Sequence, residues 1–106
     1  MMSVLLVLTN LPDRPAAEKL AEALVSGRLA ACVNVLAPCR SVYRWKGALQ
    51  NDDEIPVLVK TTAARYPALE AAIRANHPYE LPEIVALPVE RGLPAYLDWV
   101  SAETAA

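Results

Sequence analysis

Apolar positions along the chain switch between two periods, and the switches divide it into elements. Residues 4–9 form an unbroken run, Val4-Leu-Leu-Val-Leu-Thr9, which reads as a strand buried on both faces. Asn10-Leu-Pro-Asp13 breaks it. Asp13 is placed to cap a helix, and Pro15 suits a first turn. Ala17, Leu20, Ala21 and Leu24 then share one helical face, with Glu18, Lys19 and Glu22 off it. Gly27 is the expected stop, since glycine accepts the left-handed conformation. Period two returns from Leu29 to Ala37, with Ala31, Val33 and Val35 on one face and Cys32 and Asn34 on the other. Pro38 interrupts, the strand resumes over Ser41 to Lys46, and Gly47 marks a turn or bulge. A second turn is predicted at Gln50-Asn-Asp-Asp53, followed by a strand over Glu54 to Thr61. Pro56 cannot donate to a ladder, which argues for an edge position or a strand start. Thr61 or Thr62 is placed to cap a second helix carrying Tyr66, Leu69, Ala72 and Ile73. Pro67 favours a later start, or a bend. Glu83 to Val89 reads as a last strand. Gly92-Leu-Pro94 opens a terminal helix with Leu93, Tyr96, Leu97 and Val100, expected to fray from Ser101 onward.

The order β-α-β-β-α-β with a trailing helix predicts an α+β, ferredoxin-like sandwich in a single domain spanning residues 1–106. Such a layout packs its helices on one sheet face. Here the strands carry apolar residues on both faces, so the second face needs a cover. The terminal helix is expected to supply part of it and another subunit the rest.

Composition narrows the partners. The chain is 55% hydrophobic and 21% charged, with a formal net charge of −2, which fits a packed core and not a disordered chain. No Lys/Arg-rich stretch offers the footprint that nucleic acid or an anionic membrane requires. The apolar run near the start falls well short of the roughly 20 residues of a membrane span. No charged segment precedes it as in a secretory signal, so a cytoplasmic location is expected. Cys32 and Cys39 lack the close spacing of a redox motif or zinc knuckle; two separate reduced thiols fit a cytosolic setting.

Four patterns occur in order: Leu29-Ala-Ala-Cys-Val-Asn-Val35, Tyr43-Arg-Trp-Lys-Gly47, Lys60-Thr61, and His77-Pro-Tyr-Glu-Leu-Pro-Glu-Ile84. Together they resemble the CutA divalent-cation-tolerance family, over about Val4 to Val100. The resemblance implies a ferredoxin-like homotrimer whose long hairpins pack across subunit boundaries. It also implies a role in tolerance of divalent cations, mainly copper, without an established enzymatic activity. The cleft so implied draws on Cys32, Lys60, His77, Tyr79 and Glu80, with Trp45 and neighbouring chains closing it.

The residues themselves allow a metal reading. Thiolate and imidazole suit Cu(I), Cu(II) or Zn(II), so Cys32 and His77, the only histidine, are candidate ligands, with Glu80 as an oxygen donor. The plainer reading of Cys32 is a small packed hydrophobe, and that of His77 a helix C-terminal residue meeting the last carbonyls. Glu83 joins Trp45, Lys60 and Tyr79 as a candidate cleft residue, with a structural role as the plainer reading. Lys60 is placed to meet an anion or to pair with Glu80. One chain offers too few ligands for a closed zinc site, so any metal would sit in an open, weak or shared arrangement. The acidic run Asp52-Asp53-Glu54 reads as a solvated turn. No phosphate-binding glycine loop is present, and Cys32 with His77 is the only conceivable nucleophile–base pair. The expectation is therefore a non-enzymatic, metal-binding trimer with no organic cofactor. A signalling or small-ligand-binding module using intersubunit clefts is the alternative.

Overall fold

The structure, a computed structural model, describes residues 3–105. Its elements are β1 (Val4–Leu11), α1 (Arg14–Ser26), β2 (Cys32–Val35), β3 (Cys39–Trp45), β4 (Ala48–Thr62), α2 (Tyr66–Asn76), β5 (Ile84–Pro88) and α3 (Pro94–Glu103). The strands form one antiparallel sheet in the order β2-β4-β1-β5, and β3 pairs with β4 beyond β2. Strands β2 and β3 together replace one strand of the ferredoxin-like sandwich.

The core forms where alternation on β1 and β4 meets the two amphipathic helices. Val7 and Leu11 from β1, with Ile55, Val57 and Val59 from β4, pack against Leu20 and Leu24 of α1 and Leu69 and Ile73 of α2. Helix α1 starts as expected: the Asp13 carboxylate accepts the Ala16 N–H at 2.9 Å, with Pro15 in the first turn. Its stop differs. Gly27 has φ −82°, and Arg28 takes the left-handed position at φ 57°. The Arg28 carbonyl accepts from Arg65 Nε at 3.3 Å, and its guanidinium reaches the Glu103 carbonyl at 3.4 Å. Arg28 is thus held by neighbours on two sides.

Helix α2 begins at Tyr66, so Pro67 falls in its first turn, and neither threonine caps it. Thr61 Oγ1 instead donates to the Leu29 carbonyl at 2.6 Å. Helix α3 continues past Ser101. Thr104 is buried, and its hydroxyl donates to the Val100 carbonyl at 2.8 Å, holding the end expected to fray; Ala106 lies outside the described residues.

The largest departure is β4, which runs unbroken for 15 residues through the predicted turn at 50–53. Each acid there finds a cross-strand partner. Arg40 lies opposite Asp53 with an ion pair at 3.0 Å, and the Tyr43 hydroxyl donates to Asp52 at 2.6 Å. The reversal occurs only at Lys46-Gly47, whose φ values of 50° and 79° form a two-residue hairpin turn.

Pro56 therefore lies inside a central strand. Its carbonyl accepts from the Leu36 N–H at 2.9 Å, so its nitrogen also faces the side on which β2 has just ended. The Leu36 carbonyl, deprived of the N–H that position 56 would otherwise supply, accepts from Arg14 Nη2 at 2.9 Å.

On the second sheet face α3 covers one end, where Val100 packs with Val4 and Ala31. Leu6, Leu8, Leu58, Val85 and Leu87 share that face by register, and Val85 and Leu87 are 46% and 57% exposed. Among the described residues, no helix is long and apolar enough to cross a membrane. Both cysteines are free thiols.

Arg14→Met should lower stability by about 1 kcal/mol in urea unfolding, the usual worth of such a hydrogen bond at an exposed site. The loss should shrink when Pro56→Val supplies the missing N–H. Additive effects in that double-mutant cycle would rule out the coupling.

Candidate functional site: a groove between the long hairpin and the 77–83 loop

Pro78 pushes the residue before it out of helical conformation. His77 is extended (φ −96°, ψ 134°) and ends α2. Its ring turns inward and is buried. Nδ1 accepts the Tyr79 backbone N–H at 3.2 Å, and an amide can only donate, so Nε2 carries the proton and donates to the Asn10 carbonyl at 2.7 Å. That carbonyl faces the side where β5 has not yet begun, since the ladder starts at the Thr9–Ile84 pair. His77 stands in for the missing strand partner. The Asn10 side chain meanwhile donates to Glu83 Oε1 at 3.1 Å. Asn10 thus holds both ends of the loop.

The loop faces the hairpin across an open groove of about 840 Å³. Tyr43 and Trp45 from β3 and Glu54 from β4 form one side; Tyr79, Glu80 and Glu83 form the other. Glu54 is only 8% exposed. Burial first, and then the neighbouring Glu54 carboxylate, hold the Tyr79 phenol well above its ordinary range. The Tyr43 phenol is raised as well, chiefly by its hydrogen bond to Asp52. At the mouth, Lys46 Nζ lies 3.3 Å from Glu80 Oε2 and 5.6 Å from the centre of the Trp45 ring.

The structure divides the sequence-derived candidates. Trp45, Tyr79, Glu80 and Glu83 line the groove, and His77 braces it from beneath. Cys32 and Lys60 lie opposite each other on β2 and β4, level with Leu6. That is four residues along β1 from Asn10, about 13 Å by strand rise. Lys60 donates to Asn34 Oδ1 and not to Glu80, whose partner is Lys46. The Cys32 thiol meets Asn34 Oδ1 at 4.0 Å. Among the described residues no three His, Cys, Asp or Glu side chains gather as a metal site, and both ring nitrogens of His77 are engaged. Cys32 and His77 are therefore not a nucleophile–base pair within one protomer.

Glu54, Asn10 and Lys46 were not among the candidate site residues, although Lys46 stands in the Tyr43–Gly47 pattern. Glu54 stood at the start of the expected strand, and carrying its period-two pattern back from Leu58 through Pro56 puts Glu54 on the same face as both.

A phenol whose folded-state pKa is raised favours the folded state less as pH climbs. The unfolded chain loses its proton near 10 while Tyr79 keeps its own. Stability should therefore fall as pH rises above 10. Tyr79→Phe should make that fall shallower in chemical denaturation at pH 9 to 11.

The fold recurs in known proteins. The family described as CutA1 divalent ion tolerance protein matches residues 5–103. A divalent-cation tolerance protein CutA from Thermus thermophilus is 47% identical over 98 residues, 92% of this chain and 95% of that protein. Protein CutA from Mus musculus is 43% identical over 96% of this chain, which spans only 58% of that longer relative. Among solved structures, CutA from Xylella fastidiosa superposes with a TM-score of 0.94 at 43% identity, covering 96% of this chain and 98% of that one. The Thermus thermophilus structure gives 0.92 at 46% identity, covering 99% and 100%. Because the match reaches into every strand and helix of the sandwich, including both walls of the groove, this chain belongs to the CutA1 divalent ion tolerance family.

Proposed function

We propose that the protein serves divalent-cation tolerance as a non-enzymatic, cytoplasmic homotrimer that holds a divalent ion, Cu(II) or Zn(II), where protomers meet. The observation that carries the reading is the uncovered half of the second sheet face. Leu6, Leu8, Leu58, Val85 and Leu87 form a contiguous apolar surface by register, and α3 covers only the far end. Burying it against other copies removes that surface from water at roughly 25 cal/mol per Å². Three copies is the number implied by the family resemblance. Two unpaired thiols support the cytoplasmic setting.

A single protomer does not fit a closed metal site. His77 is committed to two backbone groups, and Glu80 and Glu83 each already have a partner. Cys32 has only a long contact to Asn34 and lies on the second face. The ion therefore draws on donors from more than one copy, with Cys32 and Glu80 as this chain's accessible thiol and carboxylate. A bound divalent ion would neutralise charge there; the chain's own residues bind and orient it.

Sedimentation equilibrium should give three times the 11.5 kDa chain mass. Leu87→Asp should shift the protein toward monomer, and a stable wild-type monomer at low concentration would sink the assembly.

Calorimetric titration of chelator-treated protein with Cu(II) and Zn(II) should saturate at a whole number of ions per trimer. Cys32→Ser and Glu80→Gln should each weaken uptake by about tenfold, the usual cost of losing a supporting metal contact. His77→Ala should lower the Tm of the metal-free protein, because it cuts the loop from β1. Non-saturating heats, identical in every variant, would remove metal binding from the function.

A further inference from the structure

Residues 78–82 cross from α2 to β5 with very little backbone support. Pro78 and Pro82 have no N–H to offer. Among the described residues, the one backbone hydrogen bond of this segment, as donor or acceptor, runs from the Tyr79 N–H to His77 Nδ1 at 3.2 Å. The ties at either end belong to the flanking residues. His77 Nε2 donates to the Asn10 carbonyl at 2.7 Å, and Glu83 accepts from the Asn10 side chain at 3.1 Å. A single imidazole nitrogen thus holds the backbone of the stretch that carries Tyr79, Glu80 and Leu81.

That nitrogen holds the amide only while it keeps its lone pair. A proton on Nδ1 removes the acceptor and sets two N–H groups against each other. Nε2 already donates, so protonation of the ring leaves the Asn10 bond in place and acts at Tyr79 alone. Imidazole is the side chain that ordinarily changes charge between pH 5 and 8. The residue is 9% exposed, and among the described residues no carboxylate is ion-paired with it. Its charged and titratable surroundings are few. The Tyr79 ring stands 4.7 Å from the imidazole, with Glu54 of β4 beside the Tyr79 phenol. Glu83 is reached only through the Asn10 amide, and Glu80 is paired with Lys46. Helix α2 contributes Arg74 in its last turn, and Asp13, beyond β1, is engaged in capping α1.

We propose that the 77–83 loop is a proton-controlled latch. With His77 neutral, Nδ1 holds the Tyr79 amide and the loop is closed. When a proton from water occupies Nδ1, the amide is expelled and residues 78–82 are released between the two Asn10 ties. The ring and both of its partners belong to one chain, so the inference rests neither on metal uptake nor on the number of copies assembled.

The test is NMR on the assembled protein, metal-free with chelator present, from pH 8 to pH 5. At pH 8 the ring nitrogen shifts should place the proton on Nε2. As the ring titrates, the Tyr79 amide should lose about tenfold of its exchange protection, corrected for the intrinsic rate, with the midpoint of the ring itself. Core amides of β1 and β4 should keep theirs. His77→Asn leaves an acceptor for the N–H two residues on, as in an Asx turn, but no proton to gain. Tyr79 should then stay protected over the whole range. A ring that titrates while the Tyr79 amide stays protected would overturn the proposal, as would a ring that takes up no proton above pH 5. So would the same pH-dependent loss in His77→Asn, which would assign it to a carboxylate of the loop or of Glu54. The wild-type titration decides by itself where the variant does not fold.

Discussion

Strand β4 serves three partners, and the proline inside it governs how they share it. On one side it pairs with β1 along 55–62; on the other it pairs with β2 over 57–60 and with β3 over 48–54. Pro56 has no N–H to give on that second side. The ladder there breaks between Val35 and Cys39, and Arg14 caps the orphaned Leu36 carbonyl. Because the break falls at this point, the outer half of β4 leaves the sheet with β3 as a hairpin. That hairpin is one wall of the groove. A residue without chemistry of its own thus sets the position of the site.

The opposite wall depends on a second unfilled ladder position. The Asn10 carbonyl would be orphaned where β5 has not yet started, and a buried unpaired carbonyl costs about 1–3 kcal/mol. His77 fills it, and its other nitrogen fixes the Tyr79 amide. The only histidine in the chain is consequently occupied in holding the loop. A histidine at such a position invites a ligand reading, but its backbone partners show what it does in the protomer. Glu80 and Glu83 are then presented by a loop pinned at both ends by Asn10.

Much of this was legible in the residues. The order of elements, the Asp13 cap, the Pro15 first turn and the helical face of Leu20 and Leu24 follow from local rules that tertiary contacts leave intact. The departures share one cause: a distant partner overrode a local preference. Asp52 and Asp53 read as turn residues until Tyr43 and Arg40 are set across from them. Pro56 reads as an edge residue until Arg14 takes over the hydrogen bond that it cannot make. Thr104 reads as frayed until its hydroxyl meets Val100. The His77-Pro-Tyr-Glu-Leu-Pro-Glu segment was recognisable as a unit, and Tyr79, Glu80 and Glu83 do line one groove. Cys32 and Lys60, which the resemblance groups with them in a cleft closed by neighbouring chains, lie level with Leu6 within the protomer, a separation that no local pattern encodes.

The electrostatics of the groove follow from how its carboxylates are partnered. Glu54 is buried against the Tyr79 phenol, Glu83 accepts from the Asn10 amide, and Glu80 meets Lys46. The first two partners are neutral, so they satisfy hydrogen bonds without cancelling charge. Only Lys46 supplies a positive charge, and it does so from the exposed rim. Three acids beside a single weakly held cation leave a negative field over aromatic walls, where the local dielectric is lower than in water and charge counts for more.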